Sequence, residues 1–404
     1  MEGAYITSLK EGKMSTANKK NILVALIVIC IIIFAVFGYL FLKNLSESNS
    51  KTADIPKFDG LEFKSKVKTR YATQFSIYKY KGGYAYIDLI DSDKILVVPK
   101  DGKVPKNLKD DIVVIKQPLD DVYLVSTSVM ALFDSLDILD RIKFVGTNRW
   151  YIDNAKKAMD EGKWINAGNY NAPDYETLIN EKCQLAIENT MVLHNPEVRE
   201  KMTTLGIKNI IEKSFAESHP LGRTEWIKVY GVIFDKEKEA NEVFNKEAKK
   251  IEALKNIEKT GKKVAFFYVN SRGNVVTYKT NGYVPEMIRI AGGDYIFNNL
   301  GLDDESQLST VNMSMEEFYE TAKDADVIIY NCSIMAQLHN KDDLLAQSPV
   351  LKDFKAVKDG NAWCTTKSMF QQTDKMGTLI EEMNEILTDD KMEKDELDYF
   401  FRLK

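Results

Sequence analysis

The chain has 404 residues, of which 44% are hydrophobic and 28% are charged. This composition is that of an ordinary globular protein and argues against a multi-span membrane protein, a collagen-like chain or a wholly disordered one. With 55 Lys and Arg against 60 Asp and Glu the net charge is −5, so the composition lacks the basic footprint of a nucleic-acid-binding protein. The 3 His and 4 Cys argue against a His-rich metal site and against a disulfide framework.

One segment near the N-terminus departs from this average. Residues 22–42 are uncharged and strongly apolar, and a helix of about 20 such residues spans a membrane. We therefore predict a short cytoplasmic N-terminus (1–21), a transmembrane anchor (22–42) and a polar tether (43–60). The lysines that precede the anchor orient it, so the rest of the chain is expected on the extracytoplasmic side of the cell membrane. These lysines are Lys10, Lys13, Lys19 and Lys20.

Cys30 supports a second interpretation of this segment, because lipoproteins are processed at such a cysteine. Ile29 stands where a small residue is expected, however, and the apolar run continues to Leu42. That length favours an uncleaved anchor over a signal peptide. Whether translation starts at Met1 or Met14 stays open.

The other three cysteines are Cys183, Cys332 and Cys364, an odd number in a region expected to be exported. We favour three buried, unpaired cysteines that act as small hydrophobic side chains. The alternative is a pair between Cys332 and Cys364, which both lie near predicted strand ends.

The region after the tether is rich in predicted strands. Residues 75–90 alternate aromatic and polar side chains on both sides of Gly82-Gly83, which predicts a β-hairpin. Short strands are predicted at 94–99 and 111–116.

From Val122 the pattern becomes an alternation of strands and helices, as in a parallel sheet covered on both faces. Strands are predicted at 122–126, 144–148, 184–188 and 209–213, and helices at 129–140, 173–181 and 196–206. The alternation returns with strands at 263–269, 327–331 and 361–365, helices at 283–293, 315–325 and 376–388, and one or two short helices within 343–354.

Between these two parts, residues 223–259 have no strand pattern. Apolar residues at helical spacing from Ala240 to Leu254, with Asp235 as the expected cap, predict a helix of about 23 residues, roughly 35 Å long. The predicted fold class is therefore α/β, with two three-layer lobes, 61–222 and 260–388, joined by a long backbone helix. A charged tail, 389–404, is expected to be partly ordered. Ligands commonly bind in the cleft between such lobes.

Five segments carry a resemblance to a known family. They are STSVMALFDSLDILDRIKFVGTN, YETLINEKCQLAIEN, ESHPLGRTEWIKVYG, YVPEMIRIAGGDYIFNN and MEEFYETAKDADVIIYNCS. In this order they resemble the extracytoplasmic substrate-binding proteins of ABC importers, over about residues 115–388. The closer resemblance is to the periplasmic binding proteins with a helical backbone between the lobes, which carry iron–siderophore complexes, haem or cobalamin. Members usually have a lipobox cysteine, from which this chain departs through its apolar anchor.

The resemblance implies a non-enzymatic, monomeric protein that holds a metal chelate in its cleft and delivers it to a permease driven by an ATPase. An iron–siderophore complex is the favoured ligand, with haem or cobalamin as the alternative, and no cofactor of the protein's own is expected. A chelatase-like enzyme and a membrane-anchored sensor are the alternatives from other classes. The chain contains none of the common hydrolase, zinc-protease or phosphate-loop motifs, which argues against the enzyme.

The resemblance also assigns two docking residues, because each lobe of such proteins usually presents an acidic side chain to arginines of the transporter. Glu176 and Glu316 fit by motif position, with Glu317 as the neighbouring alternative to Glu316. A glutamate near a helix N-terminus is also favoured by the helix dipole alone.

The ligand is expected at the carboxyl ends of the strands, the usual binding edge of α/β sheets. Aromatic rings suit a macrocycle or a catechol, and basic side chains suit an anionic chelate. His219 and His194 are more simply explained as turn residues than as metal ligands. The predicted ligand-binding residues are Ser126, Thr127, Ser128, Asn148, Arg149, Trp150, Asn189, Asn270, Arg272, Tyr283, Asn331, Ser333 and Lys367.

Overall fold

The computed structural model describes residues 55–257, 259–303, 308–333, 335, 337–389 and 394–404. The predicted anchor 22–42 and Cys30 lie outside these residues. Among the described helices none is both long and apolar enough to cross a membrane. Residues 57–404 form one compact unit that contains three β-sheets.

The first sheet, called here the leading sheet, has five strands in the order β1-β2-β3-β4-β5. All neighbours are antiparallel except β4 and β5, which are parallel. The predicted hairpin is confirmed: Gly82 and Gly83 adopt positive φ between β2 and β3, where a side chain would be strained. The strands are β1 Phe63–Lys66, β2 Phe75–Tyr80, β3 Ala85–Leu89, β4 Lys94–Val98 and β5 Ile112–Lys116.

The second sheet is parallel and has the order β10-β9-β6-β7-β8. With its helices it is called the N-lobe. One face packs on a hydrophobic core to which residues of all three sheets contribute, called here the shared core. The other face packs on a separate cluster around Tyr123 and Phe144, so the sheet is buried on both sides as predicted. The strands are β6 Val122–Leu124, β7 Ile142–Val145, β8 Ile165–Asn166, β9 Leu185–Glu188 and β10 Lys208–Ile211, and the helices are α1 Met130–Ser135, α2 Asp153–Asp160, α3 Tyr175–Asn180 and α4 Pro196–Thr204.

Three helices, called here the bridge, connect the N-lobe to the third sheet: α5 Pro220–Glu225, α6 Ile227–Ile233 and α7 Glu237–Leu254. The predicted helix with an apolar face from Ala240 to Leu254 is confirmed, but its cap at Asp235 and its length of about 23 residues were wrong. Asp235 has a φ of 57° and lies between α6 and α7, whose N-cap Lys236 makes no side-chain cap bond. The long helix therefore has 18 residues, about 27 Å at 1.5 Å per residue.

The third sheet has seven strands in the order β14-β12-β11-β15-β16-β17, with the short β13 also paired to β11. β11, β15 and β16 are parallel neighbours, as the strand–helix alternation predicted. With its helices the sheet is called the C-lobe. The strands are β11 Lys263–Val269, β12 Val275–Tyr278, β13 Asp294–Tyr295, β14 Thr310–Met313, β15 Val327–Tyr330, β16 Ala362–Thr365 and β17 Phe400–Arg402, and the helices are α8 Tyr283–Ile290, α9 Met315–Ala322, α10 Lys341–Gln347, α11 Lys355–Lys358 and α12 Met376–Thr388.

The charged tail contributes more order than its composition indicates. β17 pairs antiparallel with β16, and Phe400 is fully buried against the shared core. A short apolar stretch inside a charged segment can form such a strand, because the edge strand of the sheet supplies hydrogen-bond partners for its backbone.

Cys332 and Cys364 form a disulfide with their Cα atoms 6.3 Å apart. The favoured interpretation of three unpaired cysteines was therefore wrong for these two, and of the cysteines within residues 55–404 that the structure describes Cys183 is the free one. The strand register explains the pair. Tyr330 of β15 pairs with Cys364 of β16, and Cys332 follows Tyr330 by two residues, which brings it close to Cys364.

Two buried carboxylates, one in the bridge and one in the loop before it, bind the segment between β1 and β2 of the leading sheet. Glu225 accepts hydrogen bonds from the backbone N–H groups of Arg70, Tyr71 and Ala72 at 2.8–2.9 Å. Glu217 accepts the next two, from Thr73 and Gln74, at 2.8 and 3.0 Å. Hydrogen bonds to charged acceptors are the stronger kind, so this segment is held without strand pairing.

Candidate ligand-binding cleft

The two lobes meet at loops that follow the carboxyl ends of their strands. The side chain of Gln371, which follows β16, donates to the carbonyl oxygen of Arg149 at 3.0 Å and accepts from the amide of Tyr151 at 2.9 Å. Nearby, Ser135 of the N-lobe donates to the carboxylate of Asp374 at 2.6 Å. These contacts place the loop after β7 directly against the segment after β16, as expected for the opposite walls of a cleft.

Each lobe contributes one basic residue to this junction. Arg149 of the N-lobe is exposed, and Lys367 of the C-lobe is half-buried, with its Nζ donating to the carbonyl oxygen of Met335. Burial lowers the pKa of Lys367, and the positive charge of Arg149 lowers it further. Among the described residues neither side chain forms an ion pair with an acid, so an anion between the lobes would meet two uncompensated positive charges.

Exposed apolar side chains follow the same strand ends. Tyr151 and Phe370 stand beside the Gln371 contact and expose 40% and 37% of their surface. Met191 and Leu193 follow β9 and expose 42% and 54%. These four residues and Gln371 were not among the predicted ligand-binding residues. The four apolar residues could have been predicted from their positions after strand ends. Gln371 could not, because its role depends on hydrogen-bond partners in the other lobe.

The predicted serines are engaged with a buried acid. Ser126 and Ser128 lie 3.1 Å apart after β6, and both hydroxyls lie 3.2 Å from an oxygen of Glu212. Glu212 also accepts from the amide of Ser214 at 2.6 Å. This arrangement fixes the loop after β6, and Thr127 between the serines is half-buried.

Three other predicted residues organise their own loops. Asn148 accepts a hydrogen bond from Asn166, and Asn189 accepts from the amide of Met191. Asn270 accepts from the amide of Arg272, whose side chain is exposed at the turn between β11 and β12.

The remaining predicted residues are buried rather than exposed to the cleft. Trp150 is 4% exposed and packs edge-to-face on Trp164. Its environment is therefore that of a packed core residue and not that of an exposed ligand contact. Tyr283 is 5% exposed and stacks on a guanidinium of the bridge. Asn331 is 1% exposed and accepts hydrogen bonds from Ser333.

His219 is a turn residue, as favoured from the sequence. Its Nδ1 accepts a hydrogen bond from the amide of Leu221 and so caps α5, while its ring stacks on Tyr71 at 4.2 Å. Burial lowers its pKa. His194 is exposed at the end of a short 3-10 helix after β9. Within the described ranges no group of three or more His, Cys, Asp or Glu side chains is arranged to hold a metal ion.

The two predicted docking glutamates occupy equivalent positions in the two lobes. Glu176 is the second residue of α3, which is capped by Asp174, and Glu316 is the second residue of α9, which is capped by Ser314. Both side chains are exposed, as is that of Glu317.

An open groove of about 890 Å³ lies away from the cleft, between the turn of the leading hairpin and the bridge. It is lined by Gly82, Tyr84 and residues 233–236, among others, and by none of the predicted ligand-binding residues. The groove is therefore not the predicted site.

The sequence profile of the periplasmic binding protein family matches residues 123–367, more than half of the chain. The chain therefore belongs to the periplasmic binding protein family, and it is a solute-binding protein of that family. The matched segment contains the N-lobe, the bridge and most of the C-lobe, and excludes the leading sheet.

The chain is similar to an uncharacterized lipoprotein of Methanocaldococcus jannaschii, with 28% identity over 86% of this chain and 88% of that one. Among solved structures it is similar to the petrobactin-binding protein YclQ of Bacillus subtilis, with a TM-score of 0.53 and 14% identity over 67% of this chain and 94% of that one. It is also similar to a periplasmic haem-binding protein of Pseudomonas aeruginosa, with a TM-score of 0.53 and 13% identity over 66% and 92%. At such low identity the two structures show the fold alone.

Proposed function

We propose that this protein is the extracytoplasmic solute-binding component of an ABC importer and that it captures an anionic metal chelate, foremost an iron–siderophore complex, between its lobes. The observation that carries this proposal is the contact of Gln371 with Arg149 and Tyr151, which joins the loop of Arg149 to the segment that follows Lys367 and so brings a basic residue of each lobe to one junction. A negatively charged ligand between them relieves the repulsion and gains two charge-assisted contacts.

The surroundings of this pair support a ligand that is also partly apolar. Tyr151 and Phe370 offer exposed rings beside the basic residues, and Met191 and Leu193 add flexible apolar surface. Flat apolar rings and positive charge together suit a catecholate complex, in which aromatic groups surround a charged metal centre. The chain has only 3 His, and in this proposal the metal arrives with its own ligands.

Haem is the alternative ligand, because its propionates are anionic and its macrocycle is flat. Cobalamin, the other alternative, makes less use of the two positive charges. The fold neighbours bind petrobactin in one case and haem in the other, so fold alone does not select between these ligands.

Delivery requires contact with a permease and its ATPase. Glu176 and Glu316, exposed at matching positions of the two lobes, are the proposed docking residues, with Glu317 as the neighbouring alternative. Carboxylate–guanidinium pairs of this kind give orientation and a fast association rate more than affinity. The apolar segment 22–42 would keep the binding region at the membrane, and the lipoprotein relative is consistent with membrane attachment by other means.

A matched pair of variants tests the cleft assignment. The full chain in detergent is titrated with the ferric complex of catechol, and binding is followed by tryptophan fluorescence. Arg149→Gln with Lys367→Gln should weaken binding by about tenfold or more, because two charged contacts are lost. The control changes one exposed lysine per lobe, Lys156→Gln with Lys352→Gln, and should bind like the wild type. Equal loss in both variants would show that only net charge matters and would remove the assignment.

A further inference from the structure

Arg223 is a buried cation that forms no ion pair with an acidic side chain of the described residues. It lies in α5 of the bridge with 1% of its surface exposed, and its Nε has no hydrogen-bond partner. The neighbouring Glu225 is already occupied by Lys228 and by the backbone amides of the leading segment. The contact that the structure gives the guanidinium is the ring of Tyr283, 4.2 Å away.

Such an arrangement is unfavourable unless a further partner exists. A cation–π contact stabilises a buried guanidinium by about 2 kcal/mol, whereas an unpaired buried charge is penalised by several. Buried polar groups in native proteins are almost always satisfied, and an exception often marks the place of an ion or a ligand.

A series of side-chain contacts connects Arg223 with the carboxyl edge of the C-lobe sheet, where the ligand is expected. The ring of Tyr283 stands edge-on to Tyr278 at 5.7 Å, and the hydroxyl of Tyr278 lies 3.5 Å from the amide nitrogen of Asn331. Asn331 follows β15 at the carboxyl edge of the C-lobe sheet. On the other side, Thr224 donates to the carbonyl oxygen of Thr373 at 2.8 Å and so holds α5 against the segment that follows Lys367.

We propose that Arg223 is an anion-binding residue at the floor of the cleft, and that a carboxylate or phenolate oxygen of the ligand supplies the acceptor that the guanidinium lacks. This inference rests on the proposed function, and it adds that the ligand carries an acidic oxygen able to reach the bridge. Because only 1% of the surface of Arg223 is exposed, its neighbours must move for the ligand to reach it.

The test uses the full chain in detergent with Arg223→Met, which keeps the length of the side chain and removes the charge, and Arg223→Lys, which keeps the charge. Two quantities are measured: the melting temperature without ligand, and the affinity for the ferric complex of catechol. We expect Arg223→Met to melt no lower than the wild type, because an unpaired buried charge has been removed. We expect its affinity to fall at least about tenfold, with Arg223→Lys in between.

The outcomes separate this inference from the proposed function. If the wild type binds the probe and Arg223→Met binds it equally well, the inference is overturned and the proposed function stands. If Arg223→Met melts well below the wild type without ligand, the guanidinium has a structural partner and the inference is also overturned. If the wild type binds neither the catechol complex nor haemin, the proposed function fails and the inference fails with it.

Discussion

Glu188 ends β9 with both carboxylate oxygens buried and, in the part of the chain that the structure describes, without a hydrogen-bond partner. Burial raises its pKa from the ordinary 4.5 to about 8, although the positive charge of Arg199 acts in the opposite direction. The carboxyl group is therefore neutral in the folded protein at neutral pH, whereas it is ionised in the unfolded chain.

This difference predicts a pH-dependent stability. Between about pH 4.5 and pH 8 the folded state binds more protons than the unfolded state, so the free energy of unfolding falls as the pH rises through this range. Glu188→Gln lacks the ionisable group and should be more stable than the wild type at pH 8.5 by about 4 kcal/mol, with a difference below about 1 kcal/mol at pH 5. Urea denaturation at both pH values measures this.

The control for this prediction is Glu197→Gln, an exposed glutamate in the first turn of α4. It should leave the pH dependence unchanged. A Glu188→Gln difference that is the same at pH 5 and pH 8.5 would contradict the burial of an ionisable carboxyl group at this position.

The role of Arg149 and Lys367 in ligand binding stays a prediction. Their position in segments that meet at the junction of the lobes could be predicted, because both follow strand ends. Gln371 and Arg223 could not, because the partner of each lies in a different part of the fold. Trp150 and Tyr283 were ambiguous for the same reason, and the structure buries both.

Among the helices, the packing of α7 on α12 joins the bridge to the C-lobe. Gly377 lies so close to α7 that a Cβ atom there would meet the carbonyl oxygen of Glu247 at 2.5 Å. The side chain of Glu247 accepts from the amide of Thr378 at 2.9 Å. The two helices therefore touch through backbone, and any side chain at position 377 must push them apart.

Gly377→Ala should accordingly destabilise the protein by about 1–3 kcal/mol, the usual effect of overpacking, despite the better helix propensity of alanine. Glu385→Ala, at an exposed position of the same helix, is the control and should change the melting temperature little. If the two variants melt together, α7 and α12 are not packed as described.

Elements with strong periodicity could be predicted closely, and those that depend on tertiary partners could not. β11 and α12 begin and end at the predicted residues, 263–269 and 376–388. The start of α7 was misplaced because Asp235 is also compatible with a left-handed turn. β17 was missed because its pairing with β16 is decided by the sheet edge and not by the tail's composition.

At the scale of the whole molecule, the two lobes repeat one arrangement in which an acidic first helical turn is exposed. Glu176→Lys with Glu316→Lys should leave ligand affinity within about twofold of the wild type, because neither residue lies at a predicted binding loop. Uptake of the ligand by cells with the partner permease and ATPase should be abolished. The two carboxylates proposed to pair with transporter arginines would be replaced by positive side chains that repel those arginines.

Glu200→Lys with Glu385→Lys provides the same change of net charge at exposed positions elsewhere. Uptake should survive in this control. Retained uptake in the docking variant, or lost ligand affinity, would show that Glu176 and Glu316 are not docking residues.

The plan of two lobes joined by a helical bridge could be predicted from the order of elements, because short strands alternating with helices leave few other solutions. The leading sheet could be predicted only as one hairpin and two further separate strands. Its attachment depends on Glu217 and Glu225, whose buried carboxylates bind backbone amides that carry no signal in the sequence.

The central claim is that the cleft binds a metal chelate, and calorimetric titration of the full chain tests it most directly. Ferric complexes of catecholate siderophores and haemin are each compared with the same compound without its metal. The account predicts that at least one metal-loaded compound binds with micromolar or tighter affinity and at least tenfold more tightly than its metal-free form. Absence of binding across this set, or equal affinity for loaded and metal-free compounds, would contradict it.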